Sequence, residues 1–131
     1  TRGVNKNHLV RAALESMAYQ TNDLMYAMWE DMGHPIKAFK VDGGACANDF
    51  LLEFQADIMN QELYRPKCIE TTSLGAAYLA GLATGYWQNT EDVISNWQVD
   101  CKFEPKMDAA KRTELLEGWK KAVQCTFGWA K

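Results

Sequence analysis

The run Val41-Asp42-Gly43-Gly44-Ala45-Cys46-Ala47-Asn48 sits where two periodicities meet. Before it, Ile36 to Val41 reads as a short strand, and from Asn48 onward Phe50, Leu51, Phe54, Ile58 and Met59 fall at helical spacing. A strand that passes through paired glycines into a helix start is the local grammar of an α/β layer. Glycine at a strand's carboxyl end tolerates positive φ and lets backbone approach a ligand. The helix start beyond it presents N–H groups that favour anions. In open α/β sheets ligands bind at this edge, and the Asn48 amide can both donate and accept. Taken alone, Gly43-Gly44 reads first as a tight turn and Asn48 as a helix cap.

Upstream, residues 5 to about 32 read as one long helix. Leu9, Ala13, Met17, Leu24 and Met28 mark one apolar seam, and Val10, Leu14, Ala18, Met25 and Met32 a second beside it. Two adjacent seams predict a helix covered over much of its circumference. Asn5 or Asn7 caps its start, and Gly33-His34-Pro35 stops it. Downstream, Glu62 to Arg65 is a second strand closed by Pro66. A helix begins near Thr72 or Ser73 and ends at Gly85; its small residues Gly75, Ala76, Ala80, Gly81 and Ala83 allow a neighbouring backbone close. Thr90 is expected to cap a short helix through Trp97. Val99 to Phe103 forms an edge strand, and Asp108 opens a last helix to about Trp129. Two or three strands are few for so many helices, which predicts a piece of a larger domain.

Composition excludes several classes. Hydrophobic residues at 47% and charged residues at 24% belong to an ordinary globular chain, and no apolar run is long enough for a membrane span. The net charge of −3, with scattered Lys and Arg, gives no attraction for nucleic acid or anionic lipid. Cys46, Cys68, Cys101 and Cys125 form no C-x-x-C pair, and His8 and His34 cannot complete a zinc set, so no metal ligands are expected. The thiols read as reduced in a cytoplasmic protein. Cys46 is expected to be buried and inert. Glu70, Thr71 and Thr72 are expected to cap the helix that follows them.

The same chain resembles glycerol kinases of the FGGY carbohydrate kinase family. The resemblance is carried by Thr1 through Asn5, His8 through Gln20, Val41 through Ala45, Asn48 through Asp57, Glu70 through Gly85 and Gly118 through Val123. The Gly-Gly loop and Leu74-Gly75-Ala76-Ala77 occur across FGGY kinases. Tyr86-Trp87-Gln88-Asn89 and the Gly118-Trp119-Lys120-Lys121-Ala122-Val123 helix point to glycerol kinase within them. The match is looser between Glu91 and Glu117.

The resemblance implies an α/β, ribonuclease-H-like fold of the actin, hexokinase and Hsp70 ATPase type. Residues 1–131 would then be the C-terminal part of the second kinase domain, a small sheet with flanking helices that walls the adenine side of an ATP site. It implies transfer of the ATP γ-phosphate to glycerol, with ATP or ADP as nucleotide and Mg²⁺ held mainly outside this chain. Gly43, Gly44 and Asn48 would be the nucleotide-binding residues, Gly44 through its backbone and Asn48 beside adenine. The catalytic aspartate, the phosphate loops and the glycerol pocket would lie upstream of Thr1, so the chain is expected to hold no catalytic residue. Asp42 is expected to serve as a structural partner for loop N–H groups. Implied partners are the N-terminal remainder of the kinase, glycerol through that remainder, and a second copy in a homo-oligomer. A sister FGGY sugar kinase, an actin- or chaperone-like ATPase and a stand-alone interaction domain are the rival readings.

Overall fold

The computed structural model describes residues 2–34 and 39–129. In chain order the elements are α1 (Lys6–Met32), β1 (Phe39–Lys40), a 3-10 turn (Gly44–Ala47), α2 (Asp49–Met59), β2 (Leu63–Pro66), α3 (Thr71–Thr84), α4 (Thr90–Ser95), β3 (Val99–Phe103) and α5 (Ala109–Gln124). Ile36, Lys37 and Ala38, the first half of the expected strand, lie outside the described residues.

The long helix forms as expected, and Asn5 rather than Asn7 starts it. The Asn5 side chain accepts from the N–H groups of Asn7 and His8 at 3.0 and 3.3 Å, while His8 Nδ1 accepts the Asn5 N–H at 3.3 Å. This reciprocal arrangement satisfies the orphan donors of the first turn. Gly33, at φ +69°, closes the helix by donating to the Trp29 carbonyl at 2.9 Å.

Among the described residues the strands make one mixed sheet in the order β1-β2-β3. β1 runs parallel to β2, with Phe39 opposite Leu63, and β2 runs antiparallel to β3, with Leu63 opposite Phe103. The register slips between Arg65 and Pro66, where proline has no N–H for the ladder. β3 occupies an edge, as the reading of Val99 to Phe103 predicts.

α2 sits between the sheet and α1. Leu52, Ala56 and Met59 pack with Leu63, Phe103, Met25 and Cys46, and Leu51, Phe54 and Ile58 pack with Ala18 and Tyr19 of α1. α5 closes over the second cluster through Trp119, whose ring stacks on Tyr19 at 5.2 Å and whose Nε1 donates to Asp23 at 2.7 Å. Asp57 tethers the approach to α5 by accepting from the N–H groups of Lys106 and Met107 at 2.6 and 2.9 Å.

Four local expectations change. Asn89, not Thr90, caps α4, its side chain accepting from the Asp92 N–H at 2.9 Å. α5 stops at Gln124 rather than near Trp129, because Thr126 and Phe127 bond back only three residues and Gly128 turns at φ +75°. No side chain caps α3; Thr71 bonds elsewhere. The small residues of α3 admit a ring rather than a backbone, with Trp87 lying directly against Gly81.

The cover on α1 is also narrower than two seams predict. Only Ala18, Tyr19 and Met25 are buried on this helix, while Leu9 and Leu24 stay 66% and 61% exposed. α3, apolar nearly all round, buries none of its residues, and Leu79 is 71% exposed. Apolar surface of this extent drives association. The 131-residue chain in isolation will therefore bind a hydrophobic dye and rise in mean mass with concentration in light scattering. A strictly monomeric mass with no dye bound contradicts this.

Candidate functional site

The Gly-Gly loop leaves the sheet next to β2 and is pinned from three sides. Val41 N–H donates to the Tyr64 carbonyl at 3.1 Å, continuing the parallel ladder one residue past β1. Gly43 N–H donates to the Ile69 carbonyl at 2.8 Å, and the Gly43 carbonyl accepts from Cys46 N–H at 3.0 Å. Gly43 adopts φ 82°, ψ 169°, a region essentially reserved for glycine. Positive φ belongs to Gly43 alone; Gly44 is the first residue of the 3-10 turn. A Cβ on either glycine would meet nothing within 4 Å, so the outer surface of the turn is open.

Below the turn, Cys46 is buried in the first core cluster and its thiol donates to the Asp42 carbonyl at 2.8 Å. Burial pushes that thiol above its ordinary range, the neighbouring Asp42 adds to the rise, and Arg65 opposes it. A thiol held protonated in this way is a poor nucleophile, in keeping with the inert role read for it. The Asp42 carboxylate accepts the Thr71 hydroxyl at the start of α3. That bond stands in place of the expected one to loop N–H groups; those of Gly43, Cys46 and Asn48 donate to backbone carbonyls instead.

Asn48 is the N-cap of α2, with Oδ1 accepting the Leu51 N–H at 3.1 Å. One face of its amide is thereby spent. The Nδ2 side has no partner among the described residues, and the residue is exposed. The helix start is not the free anion site that the glycines suggest: Asn48 occupies it, and the Asp49 carboxylate lies in its first turn. An uncharged group suits this place better than a phosphate.

Gly44, Ala45, Ala47 and Asn48 form one wall of an open cleft of ≈ 670 Å³, and Leu14 and Met17 of α1 form the opposite wall. Of the three residues singled out by sequence, Gly44 and Asn48 face this cleft together, while Gly43 is half-buried and shapes the turn from outside the lining. An open, mostly apolar cleft edged by the Asn48 amide and by Asp49 can hold a planar heteroaromatic ring by contact and a hydrogen bond.

Four contributors escape sequence reading. Leu14 and Met17 read as seam residues, and only the packing of α1 on α2 brings them to the loop. Ile69 contributes a backbone carbonyl, which leaves no residue-type signal. Arg65 reaches the loop from β2: Nη1 donates to the Cys46 carbonyl at 2.9 Å and to Asp49 at 2.6 Å, and Nε donates to Asp100 at 2.9 Å.

Comparison with known proteins fits this architecture. The C-terminal domain of the FGGY family of carbohydrate kinases matches residues 1–84. The chain belongs to the FGGY family of carbohydrate kinases, and that membership favours a kinase segment over the stand-alone and non-kinase readings. Within the family it is 57% identical over 131 residues to glycerol kinase 1 of Clostridium tetani, covering 100% of this chain and 26% of that protein. The crystal structure of Plasmodium falciparum glycerol kinase with ADP superposes with a TM-score of 0.83 at 37% identity, covering 97% of this chain and 26% of that one. Xylulose kinase from Lactobacillus acidophilus shares the fold, with a TM-score of 0.77 at 23% identity. The chain thus spans about a quarter of the length of the relatives it matches.

The two glycines are expected to respond differently to substitution. Gly43→Ala will cost about 1–3 kcal/mol of stability, the strain of a side chain in that backbone region. Gly44→Ala, with no positive φ and nothing to meet, will cost well under this. Asn48→Ala will cost about 1 kcal/mol by removing the cap, and Asn48→Ser will recover most of it. Urea denaturation of the four variants checks the order; equal losses at Gly43 and Gly44 contradict it.

Proposed function

We propose that the full-length chain carrying this segment is a glycerol kinase, which transfers the γ-phosphate of ATP to a terminal hydroxyl of glycerol to give glycerol 3-phosphate. Residues 1–131 are then the C-terminal part of its second domain and the adenine-side wall of its ATP site. The observation that carries this reading is the 57% identity to a glycerol kinase across the whole chain, against 23% for a xylulose kinase of the same fold.

In this proposal the adenine ring enters the cleft between the 44–48 turn and α1. Gly44 meets the nucleotide through its backbone, Asn48 donates from Nδ2 beside the base, and Gly43 holds the turn in shape. Leu14 and Met17 supply apolar contact and exclude water. Phosphoryl transfer needs a base within hydrogen-bonding reach of the attacking hydroxyl and cations on the phosphates. The proposal places that base, the phosphate loops and the glycerol pocket in the N-terminal remainder of the kinase. The proposal places Mg²⁺ there too. Among the described residues no helix is long and apolar enough to cross a membrane. The proposal adds a cytoplasmic location and a homo-oligomeric enzyme.

A coupled assay for ADP release tests the reading. The full-length protein will release ADP when given ATP and glycerol, and the 131-residue chain alone will release none above a blank. Turnover of xylulose or gluconate in preference to glycerol by the full-length protein contradicts the substrate and favours a sister sugar kinase. Glycerol-dependent turnover by the short chain contradicts the division of labour.

A further inference from the structure

We infer that Arg65 is a positioning residue for the nucleotide site, setting the 44–47 turn without touching the nucleotide; this rests on the proposed function. Arg65 lies on β2, the central strand of the described sheet, and its side chain is only 14% exposed. Its guanidinium reaches three separate pieces of chain. Nη1 donates to the Cys46 carbonyl inside the turn and to Asp49 at the start of α2, and the Nε/Nη2 edge grips Asp100 on β3 at 2.9 Å. Its guanidinium carbon lies over the Phe103 ring, 5.3 Å from the centroid.

The Cys46 bond is the informative one. Gly43 to Ile69, Cys46 to Gly43 and Asn48 to Ala45 are all backbone bonds that any sequence with this path would make. Arg65 is the one side chain, among the described residues, that donates from the sheet to a carbonyl of the turn. It ties the turn to the first residue of α2, so Gly44 and Asn48 are held at a fixed separation across the cleft wall. Three targets around one guanidinium match a rigid fork better than a single ammonium. Lysine at this position keeps the charge but loses the planar fork, so it cannot hold the Cys46 carbonyl, Asp49 and Asp100 in the same geometry.

The test uses the full-length protein as wild type, Arg65→Lys and Asp100→Asn. Kd for ATP comes from calorimetry, KM for ATP and for glycerol from the coupled assay, and melting temperature from calorimetric scans without nucleotide. Arg65→Lys is expected to weaken ATP binding by roughly five- to thirty-fold, the loss of about one to two hydrogen bonds' worth of restraint. KM for glycerol should stay unchanged within error. Asp100→Asn removes a charge from the far edge and leaves Nη1 on Cys46 and Asp49, so melting temperature falls while ATP affinity holds. If Arg65→Lys does not fold, Asp49→Asn loosens the Nη1 edge instead and must weaken ATP more than Asp100→Asn does. Equal ATP affinity in wild type and a folded Arg65→Lys overturns the inference, as does an equal rise in both KM values. A wild type that binds ATP without phosphorylating glycerol overturns the glycerol kinase reading alone, and Kd then judges Arg65 by itself. A wild type that binds no ATP overturns both.

Discussion

Seven of the eleven residues of α2 are buried, and they are divided between two partners. Leu52 and Ala56 face the sheet, while Leu51 and Ile58 face α1 and α5, so the helix has no side on which to shift. Leu52 and Ile58 are each 1% exposed, and burying side chains of this size contributes about 1.5–3 kcal/mol apiece. Everything at the candidate site inherits its position from this constraint. Asn48 is where it is because it caps α2, and the glycine turn is the only route from β1 to that cap. Leu14 and Met17 reach the cleft because α1 packs on the same helix.

The turn itself divides two roles that a pair of glycines can conceal. Gly43 solves a backbone problem, bending the chain out of the sheet at φ 82° while its N–H meets Ile69. Gly44 leaves an open surface over which a flat ligand can lie. Around them the polar groups are already partnered: Asp42 with Thr71, Cys46 with the Asp42 carbonyl, Asp49 with Arg65. The loop is thus a prearranged wall whose side chains are partnered inward, while Gly44 and the Asn48 amide stay exposed at the cleft. Such a wall suits binding and orienting a ligand.

Much of the layout is legible in the sequence because it is local. The spacing of Phe50, Leu51, Phe54, Ile58 and Met59 gives α2, Gly33 and Gly85 mark helix ends that both occur at positive φ, and Val99 to Phe103 alternates as an edge strand does. What the sequence hides is long-range or backbone-borne. Arg65 meets Asp49 and Asp100 across 16 and 35 residues, spacings that follow no period. The Gly43 partner is a carbonyl. The breadth of the α1 seams overstates its cover because Leu9 and Leu24 stay exposed, and among the described residues nothing covers them. At the ends of α4 and α5 the misplacement is one of caps: Asn89 outcompetes Thr90, and the last turns tighten before Gly128.

A crystal structure of the full-length protein with a non-hydrolysable ATP analogue addresses the central claim directly. The adenine ring is expected in the cleft between the Gly44–Asn48 turn and Leu14 and Met17, with the triphosphate leading away from this segment toward the N-terminal remainder. Adenine bound elsewhere, or a triphosphate seated on the start of α2, would contradict the account.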